Sequence, residues 1–155
     1  MSKLETILVA IDHSAPSRRA LEEAVALARR DGAQLHIAHA IELPAVATAY
    51  AFEVPATYLS SSRDDGQRML DEAVEHAAEH GVRAKSHLSC APAPVAIDSL
   101  AEEVGADLLI VGTHGHTGLK HFALGSVAER ALRHAPCSVL VVKERTRDNP
   151  ALRPN

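Results

Sequence analysis

The chain has 155 residues, the length of one compact domain, and 46% of them are hydrophobic, which is enough for a buried core. The formal net charge is −4 and only 3% of the residues are aromatic, so we expect no nucleic-acid partner. The amino terminus lacks a signal-peptide pattern, and no apolar run is long enough for a membrane span. Cys90 and Cys137 have no metal-ligand spacing and are expected to be buried thiols. These features predict a cytoplasmic protein with no membrane partner.

The first predicted unit is a strand followed by a helix. The apolar, β-branched run "TILVAID" indicates a buried parallel strand ending at Asp12. A helix is predicted next, because Ser14 and Ser17 can cap it, Pro16 suits its first turn and Gly32 can stop it. Its apolar stripe consists of Leu21, Ala24, Val25 and Ala28.

The second unit is interrupted by a long connection. "QLHIAHAIE" predicts a strand with Ala40 near its end. Residues 43–66 contain two prolines and a serine run without clean periodicity, so they are predicted to be a long, mobile connection. A helical stripe then runs to Gly81 and is followed by a third strand, "VRAKSHLS".

The last part of the chain repeats the alternation. A third helix ending at Gly105 leads into the apolar strand "DLLIVG", and after a glycine-rich stretch come the helix "SVAERALRHA" and the strand "SVLVV". Strands that alternate with helices favour right-handed crossovers between parallel strands. We therefore predict a doubly wound, five-stranded parallel α/β sheet in one domain, residues 1–145, with a polar tail over 146–155.

Residues 112–126, "GTHGHTGLKHFALGS", form what we call the glycine loop, between the fourth strand and fourth helix. Its spacing is Gly112, two residues, Gly115, nine residues, then Gly125 and Ser126. Glycines let backbone amides approach an anion, and a helix that begins near Ser126 adds free amides and a positive dipole end. Because ligands of such sheets bind where strand order reverses, Asp12 could contact the ribose or adenine of a nucleotide whose phosphates lie in this loop.

Other interpretations of the loop are a flexible surface turn or a metal site. The spacing matches neither a Walker loop nor a dinucleotide-binding G-x-G-x-x-G motif. His114, His116 and His121 could ligate a metal, but no cysteine or carboxylate joins them at a known spacing, and His116 is better placed for phosphate. Among the other histidines, His36 and His39 are predicted to be structural and His87 to be solvated or capping.

The sequence resembles the universal stress protein family, ATP-binding branch. The resemblance rests on "ILVAIDHS", "LHIAHAIE" and "GADLLIVGTHGHTGLKHFALGSVAERALRHAPCSVLVV", and it covers most of residues 4–143. It implies a Rossmann-like, adenine nucleotide alpha hydrolase-like fold that binds ATP, with Mg²⁺ bridging the phosphates. It also implies a homodimer formed through the Ser138–Val142 strand. The residues that it implies around the nucleotide are Asp12, Ala40, Val111, Gly112, Gly115, Gly125, Ser126 and Val127. We add Ala10 and His116 as candidate binding residues.

Three functions follow as alternatives. The first is a nucleotide-responsive stress or regulatory module that binds ATP. The second is a slow ATPase, although the motif contains no convincing general base or arginine finger, so no catalytic residue is assigned. The third is an interaction protein with a vestigial nucleotide site, which the intact Gly125-Ser126 pair disfavours.

Overall fold

Five parallel strands form the sheet of this computed structural model, which describes residues 3–43, 53–114 and 124–144. The strands are β1 (Thr6–Ala10), β2 (Gln34–Ala40), β3 (Ala84–Ser89), β4 (Leu108–Gly112) and β5 (Ser138–Val142). The helices are α1 (Ala15–Asp31), α2 (Ala56–Glu79), α3 (Ala93–Glu103) and α4 (Ser126–His134). Helices and strands alternate along the chain, which confirms the predicted fold class.

The strand order is β3-β2-β1-β4-β5, so the chain changes direction across the sheet at β1. Residues of β1 pair with β2 on one side and with β4 on the other; Val9, for example, is opposite both Ile37 and Ile110. Val9 is fully buried, as expected for a central strand covered on both faces. The reversal leaves a crevice at the carboxyl ends of β1 and β4, where ligands of this fold class bind.

Two apolar cores cover the two faces of the sheet. On one face, Leu35 and Ile37 of β2 pack with the apolar stripes of α1 and α2. On the other face, Leu109 and Val111 of β4 pack with residues of α3 and α4, including Ile97. Among the described helices, none combines the length and apolarity that a membrane crossing requires.

The ends of α1 follow the predicted signals. The side chain of Ser14 caps the helix by accepting a hydrogen bond from the backbone N–H of Ser17, and Pro16 lies in the first turn. Gly32 follows the last turn with φ 67°, a left-handed conformation that glycine adopts without a steric penalty.

The predicted 43–66 connection is wrong from Ala56 onward, because α2 begins there and runs to Glu79. The first turns of α2 are mostly exposed, and burial begins at Gly66. A solvated stretch of helix needs no apolar stripe, so periodicity could not reveal it. The serine hydroxyls that suggested a loop instead bond carbonyls three residues earlier, as Ser60 does to Thr57. Residues 44–52 of the connection lie outside the described residues.

The cysteines differ in their environments. Cys137 is half-buried, and burial raises the pKa of its thiol. The expectation of a buried thiol is wrong for Cys90, which is exposed and has its Sγ 3.4 Å from a guanidinium nitrogen of Arg63 on α2.

His36 and His87 form a pair between neighbouring strands β2 and β3. His36 Nδ1 lies 2.8 Å from His87 Nε2, and the ring centroids are 5.1 Å apart at an interplanar angle of 16°. That centroid separation is about the N–N distance plus two ring radii, so the rings meet edge to edge in a nearly linear N–H···N bond. The predicted structural role of His36 is confirmed, whereas the prediction that His87 is solvated or capping is wrong.

Burial lowers the pKa of both histidines below the ordinary imidazole value of 6.5. Lys85 on β3 lowers both values further, and Glu103 on α3 opposes burial by raising the pKa of His87. If both rings were protonated, neither nitrogen could accept the hydrogen bond that joins them. The folded protein therefore favours the neutral pair.

We expect the histidine pair to make stability depend on pH. Because the folded pKa values are depressed, the unfolded chain binds more protons, so the contribution is fully present above pH 6.5 and is lost as the pH falls below that value. His87→Gln should flatten the decline of Tm on acidification, measured by circular dichroism. The control His80→Gln removes an exposed histidine at the position that directly follows α2 and should keep the wild-type slope. Equal slopes in all three proteins would contradict this assignment.

Candidate functional site

The carboxyl ends of β2, β1 and β4 lie side by side at one edge of the sheet. Ala40 ends β2, Asp12 follows β1 by two residues, and Gly112 ends β4. Backbone contacts continue the pairing past the strands, since the N–H of Ile11 donates to the carbonyl of Ala38 at 2.8 Å. The strand order therefore brings together the three features that the sequence predicted to share a cleft.

The position of Asp12 is determined by contacts with the start of α1. One carboxylate oxygen accepts a hydrogen bond from the backbone N–H of Ser14 at 2.8 Å. The backbone N–H of Asp12 donates to Ser17 Oγ at 2.7 Å, and Ser17 is buried. These two contacts, one to the carboxylate and one to the backbone N–H, hold the half-buried Asp12 at the mouth of the crevice.

Gly112 brings the end of β4 against the first turn of α1. A Cβ at this position would lie 2.9 Å from Pro16 Cβ and 3.0 Å from both Pro16 C and Ser17 N. The first distance is shorter than Cβ atoms adopt and the other two are tighter than most Cβ contacts, and two of the three neighbouring atoms belong to the backbone, which cannot rotate away. Glycine at 112 is therefore required by close approach and not by a positive φ.

Thr113 connects three elements through its backbone. Its N–H donates to the carbonyl of Val142 at the end of β5 at 2.9 Å, and its carbonyl accepts from the N–H of Gly125 at 2.8 Å. Its side chain is buried, and its Oγ1 lies 2.9 Å from His114 Nδ1. Sequence reasoning missed this residue, because its backbone contacts leave no signal in residue type.

The start of α4 provides amide groups at the same edge. Gly125 is the N-cap residue, with φ −64° and ψ 159°, and no side chain caps the helix. Ser126 is exposed and Val127 is half-buried. The first-turn amides of a helix have no intrahelical acceptor, so this end can bind an anion. Because φ of Gly125 is one that any residue adopts, its glycine is not explained by backbone conformation.

Some of the other predicted site residues are described by the structure, and others lie outside the described residues. Val111 is almost fully buried in the sheet, and Ala10 at the end of β1 is half-buried, so both could offer the cleft mainly backbone atoms. Gly115 and His116 lie outside the described residues. The same holds for His121, so the three-histidine metal alternative is not tested; over 3–43, 53–114 and 124–144, no cluster of three ligand-type side chains occurs.

Short contacts connect Asp12 to the start of α4 without a gap. The carboxylate of Asp12 accepts from the N–H of Ser14, and the Ser14 hydroxyl donates to the carbonyl of His114. The carbonyl of Thr113, the residue before His114, accepts from the N–H of Gly125. A carboxylate on one side of the crevice and uncapped helix amides on the other define a class of protein, a doubly wound α/β protein with a polar cleft at its switch point.

Comparison with known proteins identifies the family. The sequence pattern of the universal stress protein family matches residues 3–143. This chain therefore belongs to the universal stress protein family.

Relatives and solved structures agree with this membership. A Staphylococcus epidermidis protein that carries a universal stress protein name is 35% identical over 145 residues, 92% of this chain and 86% of the relative. A universal stress family protein from Burkholderia pseudomallei has TM-score 0.70 and 31% identity, covering 92% of this chain and 98% of its own. A universal stress protein solved in complex with cAMP has TM-score 0.67 and 31% identity, covering 93% of this chain and 100% of its own.

The contact at Gly112 makes a testable prediction. Gly112→Ala should reduce the free energy of unfolding by about 1–3 kcal/mol, the usual cost of inserting a methyl group into a closely packed site. Urea denaturation measures the change. Unchanged stability would show that β4 does not approach Pro16 as closely as described.

Proposed function

We propose that this protein binds ATP at the carboxyl edge of its sheet and acts as a nucleotide-responsive regulatory module in the cytoplasm. The observation that carries the proposal is the continuous set of contacts from Asp12 to Gly125 across the strand reversal. It gives an elongated ligand two chemically different ends to contact. Residues 1–145 would form the single domain that carries the site.

The phosphate end would lie at the start of α4. The uncapped amides after Gly125, the Ser126 hydroxyl and the glycine spacing of the loop offer an anion several donors. We also assign Gly112, Gly115, His116 and Val127 to the phosphate end. Gly112 has the added role of bringing β4 against α1, which brings the loop near the first turn of that helix.

The nucleoside end would lie along β1 and β2. The carboxylate of Asp12 can accept hydrogen bonds from ribose hydroxyls, since Ser14 engages one of its two oxygens. Backbone groups at Ala10, Ala40 and Val111 would contact the base and sugar. Ala40 is buried, and its side chain is a single methyl group.

Mg²⁺ fits the proposal as a partner of the phosphates. It is usually held by one or two carboxylates together with the phosphate oxygens of the ligand. The phosphate oxygens of the ligand would be its donors here, since the second carboxylate oxygen of Asp12 is assigned to the ribose. The bound ion would neutralise phosphate charge, which the negative charge of Asp12 would otherwise repel.

A nucleotide in the loop could influence the edge of the sheet. Thr113 bonds both Gly125 at the start of α4 and Val142 at the end of β5. β5 is an outer strand of the described sheet, paired there with β4. We propose that β5 forms a homodimer with its copy and that nucleotide binding changes the population of dimer geometries through Thr113.

Replacing Asp12 tests the nucleotide site. Asp12→Asn keeps a carbonyl oxygen for the N–H of Ser14 but removes the charge and an acceptor, so ATP affinity measured by calorimetry should fall on the order of tenfold. The control Asp107→Asn changes a carboxylate at the opposite edge of the sheet, where it accepts bonds from the N–H groups of Glu5 and Thr6. This control should bind ATP normally. Wild-type affinity weaker than about millimolar would refute the proposal.

A lysine on the exposed edge tests the dimer. Leu140 in β5 is 36% exposed in the single chain, and Leu140→Lys should make the protein monomeric at micromolar concentration in sedimentation equilibrium. Val95→Lys is the control, because Val95 is an exposed apolar residue on α3, away from β5. A monomeric wild type, or a dimer that survives Leu140→Lys, would count against β5 as the interface.

A further inference from the structure

Besides the bond that its carbonyl accepts from the N–H of Arg18 in α1, Ser14 makes three hydrogen bonds, to Asp12, Ser17 and His114. Its backbone N–H donates to Asp12 Oδ1 at 2.8 Å. Its hydroxyl accepts from the N–H of Ser17 at 3.3 Å and donates to the carbonyl of His114 at 3.2 Å. His114 is 100 positions away along the chain, so the last bond joins the first helix to the entrance of the glycine loop.

The two contacts of the hydroxyl have different purposes. A helix cap requires only an acceptor, and the bond from Ser17 satisfies that requirement. The donor of the same hydroxyl is free to act elsewhere, and it bonds to His114, the last described residue of the first part of the glycine loop. Capping alone therefore does not account for a hydroxyl at this position.

The surroundings of Ser14 limit its movement. Ser17, which donates to it, is buried and uses its own hydroxyl to accept from the N–H of Asp12. The backbone nitrogen of Ser17 also lies so near Gly112 that a Cβ at position 112 would be 3.0 Å from it. The first turn of α1 thus contacts the ends of both β1 and β4, and these contacts restrain the position of Ser14.

We infer that Ser14 is a positioning residue for the nucleotide site, setting the distance between Asp12 and the backbone at His114. This inference rests on the proposed function, because Asp12 is assigned to the nucleoside end and His114 lies in the glycine loop, which is assigned to the phosphate end. Through the backbone N–H and the hydroxyl of one residue, the protein fixes the spacing that selects a ligand carrying both a nucleoside and phosphates.

The experiment compares ATP with adenosine, which lacks phosphates, in variants that separate the two contacts of the hydroxyl. Ser14→Gly removes the donor to His114 but caps the helix almost as well as serine. It should weaken ATP binding about fivefold to tenfold while changing adenosine binding less than about twofold, since only the phosphate end loses its support. Ser14→Thr keeps the hydroxyl and should retain the wild-type affinity for both ligands.

Ala26→Gly is the matched stability control. Ala26 is exposed in the middle of α1, and glycine there weakens the helix at least as much as loss of the cap hydroxyl does. This variant should keep the wild-type ratio of ATP to adenosine affinity. An equal loss for both ligands in Ser14→Gly, or no loss for either, would overturn the inference.

A measurement without ligand separates this inference from the proposed function. The carbonyl ¹³C resonance of His114 should shift in Ser14→Gly and stay near its wild-type position in Ser14→Thr, because the bond from the Ser14 hydroxyl polarises that carbonyl. A wild type that binds neither ligand would refute the proposed function. An unchanged His114 resonance in Ser14→Gly would show that Ser14 does not hold the loop.

Discussion

The architecture of the cleft depends on how closely the end of β4 approaches the first turn of α1. Gly112 permits this approach, since any Cβ there would overlap Pro16 and the backbone of Ser17. The approach brings the entrance of the glycine loop within hydrogen-bonding distance of Ser14. Asp12 joins the same set of contacts from β1, so a carboxylate and a loop from distant parts of the chain lie together.

The described part of the site consists mostly of backbone groups. Thr113 joins Val142 and Gly125 through its N–H and carbonyl, α4 contributes its first-turn amides, and Asp12 is held through its own N–H. Backbone groups attached to buried strands and helix starts lose little freedom on ligand binding, which favours affinity. The same backbone of Thr113 reaches Val142, so the proposed nucleotide-binding edge and the outer strand share one residue.

Sequence patterns succeeded where one face of an element is buried. The stripe of α1 was predictable because Ala24 and Ala28 pack against the sheet, and its end was predictable because only Gly32 suits the left-handed conformation there. Prediction failed where no core face exists: the exposed first turns of α2 resemble a loop in composition. It also failed for His87, since its partner, His36, lies on another strand.

The sequence by itself determined the order of strands and helices, the fold class and the spacing of Gly112, Gly125 and Ser126. Local periodicity, capping residues and glycines encode these features, because each depends on neighbours in the chain. Only the tertiary structure decided that Gly112 contacts α1, that Thr113 joins β5 to α4, and that Ser14 reaches His114. Those contacts arise from strand order and the packing of α1, which bring together residues up to 100 positions apart.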